Sequence, residues 1–307
     1  MFAKLAAFVR LSRPVLLLDG IGLYALGALV ARYEGYPLTP GFYLAGQLFI
    51  VALQLMAIYL NEYWDADGDR HNTHRTLFSG GSGALQALGE GGLLDKSVAL
   101  TAAQVSLAFV IGLAALLLFQ FPTLPVAWVL MALICAGLFF QSSPPLALMS
   151  SGYGELTTSI VFAGLVPAFS HSLLAGRASV LILIATAPLV ILHSATLIAF
   201  SFPDYLSDEA AGKQTLLVRI GQASGAALHN ALLAISLALT AAGTFFDLPV
   251  QVAISAAISA PLVVWQIITM RRLREGAPVS PRQLTLGAAL LFGLSVYLTA
   301  FSFWVIG

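Results

Sequence analysis

Two runs of oxygen-bearing side chains recur at four-residue spacing in this chain. Asn61, Asp65 and Asp69 form one, inside Asn61-Glu62-Tyr63-Trp64-Asp65-Ala66-Asp67-Gly68-Asp69; Asp204 and Asp208 form the other. Residues four apart share one face of a helix. Each run is therefore an acidic stripe whose like charges repel, and something positive is expected between them. Hard oxygen donors, with no histidine or cysteine at matching spacing, favour Mg²⁺ over zinc. Mg²⁺ keeps several waters and is typically bound by one or two carboxylates together with substrate phosphates, so two facing stripes suit a diphosphate held through bridging metals. Cations trail each run, Arg70 and Arg75 after the first and Lys213 and Arg219 after the second; they are placed to contact phosphate oxygens and to stabilise a leaving diphosphate. A solvated helix end is an equal alternative for any one of these carboxylates. The paired arrangement argues for a site. The glycine run Ser79-Gly80-Gly81-Ser82-Gly83 would either offer backbone N–H groups to an anion or serve as a flexible turn.

The elements that must position these residues are membrane helices. Of 307 residues 59% are hydrophobic and only 9% charged, against about 25% charged in soluble domains, so too little polar surface exists to face water. With 14 basic and 14 acidic residues there is no cationic excess for a nucleic-acid partner. The single cysteine, Cys135, forms no internal disulfide. A spanning helix needs about 20 mostly apolar residues, and nine candidates appear, at 15–31, 42–60, 98–119, 126–140, 156–174, 180–200, 226–246, 250–268 and 284–305. The first is too long for the apolar core of a signal peptide. The expected fold is thus an all-α integral membrane protein with nine transmembrane helices. Nine spans put Lys4, Arg10, Arg13, Arg70, Arg75, Lys96, Lys213, Arg219, Arg271, Arg272, Arg274 and Arg282 on the N-terminal side and only Arg32 and Arg177 opposite. By the positive-inside rule the N-terminus, and both acidic runs, are cytoplasmic. The basic stretch 270–283 reads as an anchor for lipid headgroups.

Asp19 falls inside the first span, where a charge is costly unless paired, protonated or facing water; it would either orient a polar acceptor or bond a neighbouring helix as a neutral acid. His193 and His229 read as interhelical hydrogen-bond partners, since no second histidine lies at metal spacing. Tyr63 and Trp64 read as interfacial belt residues.

These residues resemble the UbiA family of intramembrane prenyltransferases, whose motifs NDxxDxxxD and DxxxD end the second and sixth helices. Here they read NEYWDADGD and DYLSD, and the tail GKQTLLVRIG at 212–221, Arg13-Pro14, SSPPLAL and GYGEL also look like the family. The resemblance implies a helical bundle around a central cavity open laterally to lipid. It implies that Asn61, Asp65, Asp69, Asp204 and Asp208 hold Mg²⁺, the four aspartates being the catalytic set, and that Arg70, Arg75, Lys213 and Arg219 contact diphosphate. The partners would be a prenyl diphosphate donor, an aromatic acceptor and the lipid bilayer. GDRHNTHRTLFSGGSGAL is similar to the loop of the branch that prenylates 1,4-dihydroxy-2-naphthoate for menaquinone. Three positions depart from the pattern: Glu62 replaces an aspartate, and Gln141 and Met149 stand where the family usually has tyrosine and lysine.

The expected organisation is a single domain over 1–307, with possible four-helix pseudo-repeats at about 1–150 and 151–270 plus a ninth helix. The expected reaction is prenyl transfer to an aromatic ring. A member that cyclises or hydrolyses a prenyl diphosphate, or uses a non-aromatic acceptor, is the first alternative. A divalent-cation transporter is the second, and it would call for acids spread through broken helices.

Overall fold

In the computed structural model, which describes residues 2–66, 75–86, 92–120 and 125–307, the named elements are helical, and the one β-type pairing is an isolated bridge between Leu85 and Leu94. In chain order they are α1 (Phe2–Leu11), α2 (Pro14–Tyr33), α3 (Pro40–Asp65), α4 (Lys96–Gln120), α5 (Pro125–Ser142) and α6 (Gly154–Ser159). A π turn at Ile160–Leu165 carries α6 into α7 (Val166–Ala175). Then follow α8 (Val180–Ser201), α9 (Tyr205–Ala210), α10 (Leu216–Gly243), α11 (Val250–Ile258), α12 (Ala260–Arg274) and α13 (Pro281–Ile306).

Local sequence explains the boundaries. Proline opens α2, α3 and α13, where its missing N–H would have had no helical partner. Ser179 caps α8 by accepting from the Leu181 N–H, and Thr215 caps α10 through Val218. The π turn precedes Pro167: the Val166 N–H reaches back five residues to Val161 O, a local widening that accommodates a residue unable to donate.

Among the described residues, eight helical stretches are long and apolar enough to cross a membrane, and the bent pair α11–α12 makes a ninth. All nine expected spans overlie them, and the protein is an integral membrane protein. Two spans differ from expectation. The seventh begins at Leu216, ten residues before 226, because the Thr215 cap and apolar Leu216-Leu217 start the helix early, and Gly221 at φ 77° interrupts it. The eighth is two helices meeting at 50°, since Pro261 cannot continue the hydrogen-bond ladder of α11.

The helices close into a bundle: α3 packs on α4, α8 on α10, α2 on α7, and α13 lies against both α2 and α8. Lipid tails are as apolar as leucine, so association between spans relies on close approach at small residues. Gly27 is such a place, where a Cβ would collide with the carbonyl of Pro167. At the end of the bundle away from the acidic motifs, Glu34 accepts from Ser179 Oγ at 2.5 Å and lies 2.6 Å from His171 Nε2, tying the α2–α3 link to α7 and α8.

Candidate active site

The C-terminal turn of α3 presents Asn61 and Asp65 on one face. Asn61 Nδ2 donates to Asp65 Oδ2 at 2.8 Å and to Ser142 Oγ, at the end of α5, at 3.0 Å. Asp69 and Arg70, the remaining members of the first expected set, lie outside the described residues. The second motif follows α8: Asp204 precedes α9 and Asp208 sits within it, their backbones linked by Asp208 N to Asp204 O at 2.8 Å.

The two motifs converge on one cation. Lys213 Nζ lies 3.3 Å from Asp65 Oδ1 and 3.4 Å from Asp208 Oδ1, so the chain contributes one positive group between the stripes. Burial pushes the Asp208 carboxyl above the ordinary carboxylate range, Lys213 pulls it back and Asp65 adds to the rise. Among the described residues no three Asp, Glu, His or Cys side chains are grouped closely enough to hold a metal ion by themselves.

The glycine run lies over this meeting point and is fixed to both motifs. Gly80, Gly81 and Gly83 all have positive φ (78°, 70° and 64°), which glycine adopts without steric cost. The Gly80 N–H then donates to Asp204 Oδ2 at 3.2 Å, and Ser82 donates through its N–H and hydroxyl to Glu62 at 2.8 and 2.7 Å. The anions this run meets are therefore the protein's own carboxylates. Phe78 anchors the segment by stacking on Phe200 of α8, centroids 4.8 Å apart. Arg75 lies beneath the run, close to Gly83.

Beneath the mouth is an open cavity of about 210 Å³. Asn61, Asp65, Asp204, Asp208 and Lys213 line it, as do Gly80 and Gly81, Gln141 and Met149, and Asp19. One motif residue, Glu62, and one expected site residue, Arg219, face elsewhere. Glu62 is buried and spends its carboxylate on Ser82 and on Arg13, 3.7 Å away, so the longer side chain that replaces aspartate ties the loop down. Arg219 is exposed; its Nε donates to Gln214 O at 3.0 Å and its guanidinium lies over the Tyr153 ring. His193 does bond another helix, Nδ1 to Ser159 Oγ at 3.0 Å, yet it also lines the cavity. His229 pairs with Asn230, which holds α12 through Ile267 O.

Residues the spacing argument passed over also line the cavity: Arg13, Gln54, Ser142, Glu155 and Ser201. The signal for Arg13 and Glu155 lay in the Arg13-Pro14 and GYGEL segments. None existed for Ser142 or Ser201, which are ordinary residues brought in by packing.

The model of the UbiA prenyltransferase family matches residues 21–281. The chain belongs to that family. A UbiA homolog from Archaeoglobus fulgidus, solved with GPP and Mg²⁺ bound, superposes on this UbiA-family prenyltransferase with a TM-score of 0.67 at 19% identity, covering 97% of this chain and 99% of that one. The apo UbiA homolog from Aeropyrum pernix K1 gives 0.65 at 18% identity over 92% and 96%, and a digeranylgeranylglyceryl phosphate synthase gives 0.66 at 14% over 98% and 99%. At these identities the likeness is one of fold. No curated protein sequence matches the chain.

Proposed function

We propose that this UbiA-family enzyme transfers a prenyl group from an allylic prenyl diphosphate to an aromatic acceptor within the membrane, in a Mg²⁺-dependent reaction whose diphosphate end faces the cytoplasm. The observation that carries this reading is the convergence of Asp65 and Asp208, from two distant motifs, on one ammonium at the mouth of a deep cavity. Twelve of the 14 basic residues on the N-terminal side support the cytoplasmic assignment. The whole chain, 1–307, acts as one domain in this reading.

The donor set fits the metal. Asn61, Asp65, Asp204 and Asp208 offer only oxygen ligands around one opening, the chemistry Mg²⁺ takes, and they with Asp69 are the residues proposed to hold it. When bound, the metal supplies positive charge to the diphosphate oxygens. The chain does the rest. Lys213, held between Asp65 and Asp208, is proposed to offset charge gathering on the leaving group as the C1–O bond breaks; Arg70 and Arg75 are proposed to add to this, and Arg219 to join them only if its side chain turns inward. Phe78, Phe162, Leu197 and Phe200 line the cavity and exclude water that would capture the allylic cation as an alcohol. The acceptor ring forms the new carbon–carbon bond and loses a proton, or carbon dioxide where a carboxylated carbon is attacked. The resemblance of the 68–85 loop makes 1,4-dihydroxy-2-naphthoate the first acceptor to try.

Gln141 and Met149, both at the cavity wall, favour a second reading in which the donor is cyclised or hydrolysed. Diphosphate release from geranylgeranyl diphosphate, measured with and without Mg²⁺ and with Asp208→Ala as control, tests the first. Mg²⁺-dependent release that the substitution abolishes, with a prenylated aromatic product, is expected. Prenyl alcohol or a cyclised hydrocarbon alone would establish the second reading, and no release from either this donor or a shorter one would overturn both.

A further inference from the structure

The first helix, α1, is apolar on two opposite faces, and the bundle uses only one of them. Ala7 and Leu11, four residues apart, are fully buried on the side that packs on α3, and Phe8 stacks on Tyr59 of that helix with centroids 6.0 Å apart. On the opposite side Phe2, Leu5 and Val9, spaced three and four apart, are 83%, 60% and 51% exposed; residues at these spacings share one face of a helix. The charged residues of α1 are Lys4 and Arg10, both basic, both exposed, and one on each side between the two apolar faces. A helix lying between the bundle and water would carry its polar residues opposite the buried ones. Here that position holds phenylalanine, leucine and valine with a cation on each flank, the pattern of a helix lying in a membrane interface. Only Ser12 and Arg13 separate α1 from the first span, so this face adjoins the outward surface that α2 presents through Val15 and Leu18.

The same two linking residues lead from α1 to the glycine run over the site. Ser12 Oγ lies 2.7 Å from Tyr59 Oη, two residues before Asn61 on α3. Arg13, in a left-handed backbone (φ 42°) ahead of Pro14, reaches within 3.7 Å of Glu62 Oε1 through Nη1 and donates from Nη2 to Leu77 O at 3.4 Å. Glu62 in turn accepts from Ser82, and Leu77 precedes Phe78, which stacks on Phe200. Both ends of the glycine run therefore touch Arg13 or its partner. Proline disfavours a right-handed helical residue before it, so α1 turns away at Arg13 instead of extending α2, and where α1 sits sets where Arg13 sits.

We propose that α1 docks on the lipid surface at the mouth of the cavity, Phe2, Leu5 and Val9 entering the acyl boundary and Lys4 and Arg10 meeting headgroup phosphates, and that this docking holds the glycine run over the site through Arg13. The partner is the bilayer interface. A second copy of the chain on this face would bring the basic flanks of two α1 helices together, whereas headgroup phosphates neutralise them. The docking surface goes beyond the reaction proposed above and does not depend on it.

The test uses the full chain in vesicles of phosphatidylcholine and phosphatidylglycerol. On a Cys135→Ser background, nitroxide labels attached at Leu5→Cys and at Val9→Cys should collide more often with oxygen, which partitions into lipid, than with a water-soluble nickel complex. The reverse order would overturn the docking, and so would spin–spin broadening between labels on two copies. Leu5→Glu combined with Val9→Glu expels the face from lipid while altering only exposed side chains. The amides of Gly80 and Ser82, which donate to Asp204 and Glu62, should then exchange hydrogen about tenfold faster, the loss expected when about one such contact is loosened, with the amides of α8 unchanged. Leu5→Ile combined with Val9→Ile should keep the wild-type rate. Unchanged exchange in the glycine run of the glutamate variant, or equal acceleration in α8, would overturn the link from α1 to the site.

Discussion

Replacing Lys213 by alanine separates two roles that the structure assigns to one ammonium. It lies 3.3 Å from Asp65 and 3.4 Å from Asp208, one positive charge between two carboxylates; in the reaction it is expected to face diphosphate. A unit pair at 4 Å attracts by about 4 kcal/mol at an effective dielectric of about 20. These side chains are 17%, 25% and 11% exposed, so solvent screening and desolvation reduce the net to roughly 1–2 kcal/mol. The ammonium and Mg²⁺ seek the same carboxylates, so without donor Lys213→Ala should bind Mg²⁺ about tenfold more tightly, a factor of ten corresponding to about 1.4 kcal/mol. With donor, the leaving oxygens lose a charged contact, and release should slow by about a hundredfold. Titration calorimetry in detergent gives the first quantity and a diphosphate assay the second. If Mg²⁺ affinity falls together with turnover, Lys213 shapes the metal site instead of competing for it, and the reasoning fails.

Glu62→Ala removes the acceptor of two Ser82 hydrogen bonds and the partner of Arg13 in a buried setting; a loss of about 2–4 kcal/mol in thermal unfolding is expected, and an unchanged melting temperature would show that the glycine run is not held by this tether. Gly80→Ala forces a side chain into φ 78°, costing about 1–2 kcal/mol, and draws the N–H from Asp204, so the donor KM should rise severalfold; a rise in stability would contradict the left-handed assignment. Burial holds the Asp208 carboxyl above the ordinary carboxylate range, so metal-free native protein keeps this proton where the unfolded chain has lost it. The resulting stability is present at pH below the ordinary value of about 4 and is lost as pH rises through the raised one. Added Mg²⁺, which requires the carboxylate, should reverse that trend, and melting curves against pH for wild type and Asp208→Asn check both slopes, the variant being shallower in each.

The spans were legible because the bilayer imposes one simple demand, about 20 apolar residues with their backbone bonds satisfied internally, and local composition answers it. The bend between α11 and α12 was harder to read because apolar periodicity runs on through Ser259 and Pro261 while the backbone ladder does not. At the site, four-residue spacing was enough to place Asn61 with Asp65 on one face and Asp204 beside Asp208, since that is a property of one helix or turn.

What the residue order could not contain was the partnership between distant segments. Glu62 and Arg219 belong to motifs by position, yet side-chain length and the path of the neighbouring loop turn the first toward Ser82 and the second toward Gln214 and Tyr153. Lys213 reads only as a cation after the second motif; its place between Asp65 and Asp208 exists because α3 and α9 end at one opening. The amino-acid sequence by itself determined the bilayer, the helices and the carboxylate stripes, all consequences of composition and short-range spacing. Only the tertiary structure decided which polar groups share the cavity, because hydrogen bonds and ion pairs between helices depend on how bundled spans rotate and approach, and no local pattern encodes that.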